Sequence, residues 1–269
     1  MATSINGTLL RLADKYYISY GSPEQKKIDA SVENIKTNLK SYFGVDLIKI
    51  VEFGSYKRDT ILPREFDPHS DVDLMLVFNH PNMLLSPGTY RTRLIKFANS
   101  KYQRSEVYKD SPTVVLELGH IKYDLVPAYE ETYQLSGFNT NTYIPSSDSA
   151  WQRTDPTGFN QQLIAANTRS NSNIKKVVRL LKAWNAKVGY PLSSYYLEQL
   201  IANIYCLYCT NLQDWFFQAI EQLQIAIFGN ATATARIQSL KANADRVKTA
   251  LTQNNETVAL NWLSHILPM

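Results

Sequence analysis

Apolar positions recur at two different periods along this chain, and the change of period divides it. Ile28, Val32, Ile35 and Leu39 lie at helical spacing behind Ser22-Pro23-Glu24, which reads as an N-cap, a first helical position and a first-turn acid. The pattern predicts an amphipathic helix over 22–42, ended by Gly44. Short β-branched runs follow at Leu47–Phe53, Val72–Phe78, Val114–Leu118 and Ile121–Val126, each bounded by Gly, Pro, Asp or His, as strands are. The last two read as a hairpin across Gly119-His120, and a helix is expected over Tyr90–Tyr102.

Residues 130–158 are rich in Asn, Ser, Thr, Pro and Gly and read as a loop. Beyond them the period is helical throughout, at 158–169, 172–188, 193–211, 213–228, 232–253 and 256–267. Asp214 stands as an early-turn acid and Gly229 as the residue closing its helix. The expected fold class is therefore α+β: a mixed lobe over 1–155, whose N-terminal helices can pack on the second lobe, then an all-helical lobe over 156–269. A cleft is expected between them.

Composition narrows the class without naming a partner. The 269 residues are 44% hydrophobic and 19% charged, a globular mixture, and the net charge of +4 is too small for a nucleic-acid coat. The N-terminus lacks a basic region followed by an apolar core, and the apolar stretch Leu200–Cys209 is interrupted by Asn203 and too short to span a bilayer. These features predict a cytoplasmic protein without a membrane partner. Cys206 and Cys209 are expected to be packing cysteines on a continuous helix, since no second Cys/His pair exists to complete a zinc site. Among 17 tyrosines, most, such as Tyr205 and Tyr208, are expected in packing.

The chemistry gathers around acids. Ser70-Asp71-Val72-Asp73-Leu74 opens a strand, and period 2 puts Asp71 and Asp73 on one face with Cα atoms roughly 6.5–7 Å apart. Carboxylates at that spacing suit a pair of divalent ions, with Mg²⁺ the natural hard partner and Mn²⁺ an alternative. Asp124, within Ile121–Pro127, points off another strand and needs a partner of its own. Gly54-Ser55 follows a strand and can turn sharply, bringing backbone and a hydroxyl close to a phosphate. Asp59 and Asp67 read as solvated turn residues, and Arg58 and Thr60 as either donor-site or loop residues.

Gly54-Ser55, then Asp71-x-Asp73, then a distant Asp124 resembles the nucleotidyltransferase superfamily of DNA polymerase β, poly(A) polymerases and 2′-5′ oligoadenylate synthetases. Trp151, Thr154-Asp155-Pro156, Lys182-x-Trp184 and Ser194-Tyr195-x-Leu197-Glu198 narrow the likeness. They look like the bacterial second-messenger oligonucleotide or dinucleotide synthases, the CD-NTases, which are similar to the cyclic-GMP-AMP and oligoadenylate synthases of animals. The resemblance spans roughly residues 50–200.

The resemblance implies a polymerase-β-like catalytic lobe followed by an oligoadenylate-synthase-like helical lobe, with the active site in the cleft. It implies two Mg²⁺ ions on Asp71, Asp73 and Asp124, and nucleotide-binding roles for Gly54, Ser55, Lys182, Ser194 and Tyr195, the last against a base; Tyr56 is a weaker base-side candidate. The substrates would be ATP, GTP or pyrimidine NTPs, the product a cyclic di- or trinucleotide made with pyrophosphate release. The context implied is bacterial antiphage signalling, with a separate nucleotide-activated effector and a regulatory protein as candidate partners. Direct nucleic-acid binding is not favoured. The alternative is a nucleotidyltransferase that modifies an RNA 3′ end, a protein or a small molecule; a binding protein on an inactive fold is the third.

Overall fold

A computed structural model describes residues 4–80, 83–110, 113–134, 138–223 and 231–269. The chain separates into two compact units: one of residues 18–58 and 69–158, the other of 1–17, 59–68 and 159–269. The boundary is thus not a single cut. The N-terminal segment and the short stretch 59–68 belong with the helices.

The first unit is built on a mixed sheet. Its strands are β1 (Leu47–Phe53), β2 (Asp71–Phe78), β3 (Glu106–Asp110), β4 (Thr113–Leu118), β5 (Ile121–Gln134), β6 (Phe138–Pro145) and β7 (Trp151–Thr154). The order is β1-β2-β5-β4-β3. β2 and β5 run parallel, while β1/β2, β4/β5 and β3/β4 are antiparallel. The β4–β5 hairpin turns across Gly119-His120 as its polar pair predicts, with Leu118 opposite Ile121.

Strand alternation gives the sheet one apolar face. Val72, Leu74, Leu76, Tyr123 and Leu125 are fully buried there. The helix predicted over 22–42 covers this face as α1 (Pro23–Phe43), with Ile28, Val32, Ile35, Leu39 and Phe43 buried. Its start is the expected one: Ser22 accepts from the Gln25 amide, Pro23 sits at the first position, and Gly44 ends it at φ +55°. The next helix, α2 (Pro87–Lys101), is capped by Ser86 and sets Tyr90 against Phe78 with ring centroids 4.9 Å apart.

Residues 130–158 differ from the loop their composition predicts. β5 continues to Gln134 and pairs with β6, which pairs with β7. Thr, Tyr and Ile at alternating positions supply strand propensity that the Asn and Ser content conceals. Tyr129 stacks on Tyr143 at 4.8 Å, and Trp151 meets Tyr129 edge-on at 4.9 Å. The β6–β7 turn is held by Asp148, whose carbonyl accepts from the Gly88 amide at 2.9 Å and whose carboxylate pairs with buried Arg91.

The second unit is helical: Ile5–Lys15 (α3 in this unit's naming), Pro156–Arg169 (α4), Ile174–Lys187 (α5), Ser194–Ala202 (α6), Leu212–Gln222 (α7), Ala231–Thr252 (α8) and Glu256–Ile266 (α9). The first residues of α4 lie before the unit boundary. The apolar stripes of these helices meet in one core, which includes Leu9, Leu163, Val178, Leu181, Trp184, Phe216, Leu240 and Leu263. Asp214 completes a capping box with Asn211 at the start of α7. The predicted end of that helix at 228 and its Gly229 lie outside the described residues.

Two expectations for this unit are corrected. The helix predicted over 193–211 stops at Ala202, where the Asn203 side chain donates to the Gln199 carbonyl at 2.9 Å and accepts from Gln162 at 2.7 Å. A side-chain amide that satisfies the last-turn carbonyls ends the helix despite the apolar residues beyond it. Cys206 and Cys209 therefore leave the helix, and they form a disulfide with Cα atoms 5.6 Å apart instead of packing as separate thiols. Tyr205, Leu207 and Tyr208 around them are exposed, not packed.

Segment 59–68 is tied down by polar contacts within the helical unit. Asp59 pairs with Lys175 at 2.8 Å, and its carbonyl accepts from Arg179 at 2.9 Å. Arg179 also donates to the Ala13 carbonyl at 3.2 Å and lies over the Tyr17 ring. Asp67 is buried and accepts from the Tyr190 hydroxyl at 2.7 Å, so its reading as a solvated turn residue fails. Asp59 stays half-exposed. Among the described residues, no helix is long and apolar enough to cross a membrane.

Candidate functional site

Gly54 is the hinge of the site. It follows β1 directly, at φ +72°, a conformation that L side chains rarely adopt. A Cβ built there would overlap the Asp73 carboxylate. Glycine is therefore demanded twice, by the backbone and by the close approach of Asp73. The turn Gly54–Lys57 carries Ser55, half-buried, beside it. Tyr56 on the same turn donates its hydroxyl to Asp29 of α1.

Strand register assembles the acids. In the parallel β2–β5 pair, Asp71 stands opposite Lys122 and Asp73 opposite Asp124, while Phe53 of β1 stands opposite Asp73. Cross-strand partners share a face, so Asp71, Asp73, Lys122 and Asp124 form a two-by-two block on the face turned away from α1 and α2. The three predicted carboxylates are thus brought together. An apolar patch of Met75, Val77 and Ala128, with Val51, Phe53 and Ile144 against it, adjoins them on the same sheet.

The electrostatics are those of a site short of positive charge. Asp124 is largely withdrawn from water, with 14% of its side chain exposed. Burial, then the Asp71 charge, pushes its carboxyl up to about 6, against the opposing pull of Lys122. Among the described residues its Oδ1 has no hydrogen-bond partner, and Thr113 lies 3.5 Å from its Oδ2. Lys122 lies 3.3 Å from Asp71 Oδ2 and 3.6 Å from Asp124 Oδ1. The second separation is an ion pair too long for a hydrogen bond.

All the donors here are hard oxygens, and one is buried and unsatisfied, which fits a divalent cation such as Mg²⁺. Among the described residues, no three His, Cys, Asp or Glu side chains already converge tightly enough to hold a metal. Asp71 and Asp124 instead share the Lys122 ammonium.

The remaining predicted residues belong to the helical unit. Lys182, on α5, is 4% exposed and pairs at 3.4 Å with Glu198, itself 1% exposed. Glu198 also accepts from Thr60 Oγ1 at 2.7 Å. Ser194 is the first residue of α6, whose cap is Ser193, accepting from the Tyr196 amide at 3.2 Å. Tyr195 is half-exposed and meets Phe159 edge-on at 5.1 Å. Trp184 is core, as its spacing with Leu180 and Leu181 predicts.

Two polar residues escaped sequence reasoning. Lys122 carried a readable signal, since it stands two positions before Asp124 on a strand and so on the same face. Glu198 stands in the sequence only as the last residue of the Ser194-Tyr195-x-Leu197-Glu198 motif, and its pairing is not legible there because its partners Lys182 and Thr60 lie on other segments.

Residues 6–167 match the family model of the Second Messenger Oligonucleotide or Dinucleotide Synthetase domain, SMODS. The chain belongs to this family. The SMODS match contains Gly54, Ser55, Asp71, Asp73 and Asp124 and ends before Lys182, Ser194 and Tyr195. A probable cyclic nucleotide synthase of Bacillus cereus is 26% identical over 215 residues, 67% of this chain and 61% of the relative. The CBASS oligonucleotide cyclase CdnC of Escherichia coli is 21% identical over 219 residues, 74% of this chain and 66% of the relative. The chain thus spans under two thirds of the length of these curated relatives. The solved structure of E. coli MS115-1 CdnC with ATP superposes with a TM-score of 0.71 at 14% identity, covering 97% of this chain and 96% of that one. The SMODS chain therefore has the polymerase-β-like α+β fold of the CD-NTases.

Proposed function

We propose that this SMODS protein is a nucleotidyltransferase that joins NTPs into a cyclic di- or trinucleotide second messenger and releases pyrophosphate. The observation that carries this reading is the register of β2 and β5, which sets Asp73 opposite Asp124 beside Asp71, under a glycine turn that admits nothing larger.

In this reading Asp71, Asp73 and Asp124 hold two Mg²⁺ ions. Bound there, divalent cations would supply activation of the attacking hydroxyl and neutralisation of the leaving pyrophosphate. The chain's own residues do the rest. β2 and β5 fix the carboxylates on a rigid sheet, so little reorganisation is needed when charge develops. The Gly54 turn keeps the backbone beside Asp73 clear of a side chain, and Ser55 offers a hydroxyl to a phosphate. Lys182 is assigned to the donor triphosphate, a role that requires its ammonium to leave the buried pair with Glu198. Ser194 is assigned to a hydrogen bond with the phosphates, and Tyr195, with its ring half-exposed, to a base. The bound ATP of the solved CdnC supports an NTP substrate.

The physiological setting follows the CBASS name of the E. coli relative: antiphage signalling in the bacterial cytoplasm, with a nucleotide-activated effector and a regulatory protein. Incubation with all four NTPs and Mg²⁺, followed by phosphatase treatment and mass spectrometry, tests the core of the proposal. A phosphatase-resistant cyclic product is expected. Label transferred instead to RNA or protein would overturn it.

A further inference from the structure

We infer that Lys122 is the resident counter-ion of the carboxylate site, holding Asp71 and Asp124 in the metal-free protein and yielding towards Glu117 when a divalent cation binds. The inference rests on the reading that these carboxylates hold metal.

Three observations carry it. First, register fixes Lys122 beside the acids: it stands opposite Asp71 on β2 and shares a face with Asp124, two residues on. Its placement is set by the backbone and not by a chance rotamer. Second, its ammonium is shared between two carboxylates at 3.3 and 3.6 Å, longer than the 2.7–2.9 Å or so of a committed charge-assisted bond. It neutralises both at once, and among the described residues Asp124 Oδ1 keeps no hydrogen bond. Third, register places another acid beside Lys122 on the sheet. In the antiparallel β4–β5 pair its cross-strand partner is Glu117, on the same face and on the side away from Asp71.

A small hard cation binds carboxylate oxygens at about 2.0–2.1 Å in near-octahedral geometry. An ammonium held at hydrogen-bonding distance from the same carboxylates competes with it sterically and by charge. The four-carbon stem of lysine lets the head move while the strand stays fixed. Lys122 is accordingly a positioning residue. It prevents Asp71 and Asp124, on adjoining strands, from repelling one another apart before the cation arrives, and it sets how tightly that cation is held.

The test is Mn²⁺ binding to the full chain without nucleotide, by isothermal titration calorimetry, alongside melting of the metal-free protein. Lys122→Gln is expected to bind Mn²⁺ about tenfold more tightly than wild type while melting at a lower temperature without metal. Glu117→Gln is expected to bind it about threefold more weakly, because Lys122 loses the acid it would yield towards. A lysine serving only the fold would give lower stability with equal or weaker binding, and that result for Lys122→Gln overturns the inference. If Lys122→Gln does not fold, Glu117→Gln decides: unchanged or tighter binding overturns it. Asp71→Asn separates the underlying reading. If it binds Mn²⁺ as wild type does, or wild type binds none, the metal assignment itself fails.

Discussion

Asp124 in the sheet unit and Glu198 in the helical unit are both carboxylates withdrawn from water, yet their surroundings are opposite. Glu198 accepts from Thr60 at 2.7 Å and faces Lys182 at 3.4 Å, with 1% of its side chain exposed. Asp124 has one oxygen with no hydrogen bond among the described residues, a second acid across the site, and a lysine shared with that acid. Satisfied buried charge tells of structure, because removing a partner leaves an uncompensated ion. Unsatisfied buried charge, held in place by a sheet, is what makes Asp124 a candidate for function and not for structure alone.

The comparison breaks most visibly at the acids of β2. Asp71→Asn or Asp73→Asn is expected to lower product formation about a thousandfold or more, roughly 4 kcal/mol of barrier, while circular dichroism and melting stay near wild type. Retained turnover in a quantitative nucleotide assay would remove the site assignment. In the helical unit, Glu198→Ala should instead cost about 3 kcal/mol of stability in urea titration, since Lys182 and Thr60 lose their acceptor. A change under about 0.5 kcal/mol would show that this carboxylate is not the structural anchor described.

Asp124→Asn is expected to move stability the other way. The carboxyl ordinarily titrates near 3.8 and is raised to about 6 in the folded protein. The folded state therefore binds the proton more tightly, so this group favours folding most below pH ~4, and that contribution is lost as pH rises through about 6. The metal-free Asn variant should be more stable at pH 8 by roughly 1–2 kcal/mol, with the pH 4–6 slope reduced. Equal melting curves for the two proteins across that window would contradict the electrostatic account. The smallest effect is expected at Tyr208, exposed beside the disulfide: Tyr208→Ser should alter stability by less than about 0.5 kcal/mol, and a larger loss in melting would mean that its ring is packed.

Legibility followed the range of the physics. The helix over Pro23–Phe43 and the strands of the sheet were readable because their signals are local, in caps, period and flanking turns. The three acids were readable because a strand places alternate residues on one face. The polar strands β6 and β7 were hidden by Asn and Ser, whose turn preference pairing overrides. The fate of Cys206 and Cys209 was hidden because one side chain, Asn203, ends the helix that apolar spacing alone would continue.

By itself the sequence determined the faces of the strands at 47–53, 72–78, 114–118 and 121–126 and made the set Gly54, Ser55, Asp71, Asp73 and Asp124 legible as candidates, since each depends on residues near in the chain or on a shared motif. Only the tertiary structure decided that Asp73 faces Asp124, that Lys122 mediates between Asp71 and Asp124, and that Thr60, Lys182 and Glu198 meet. Those pairings are set by strand register and helix packing between segments tens of residues apart. Burial then decides which charges are satisfied, and no local pattern encodes that.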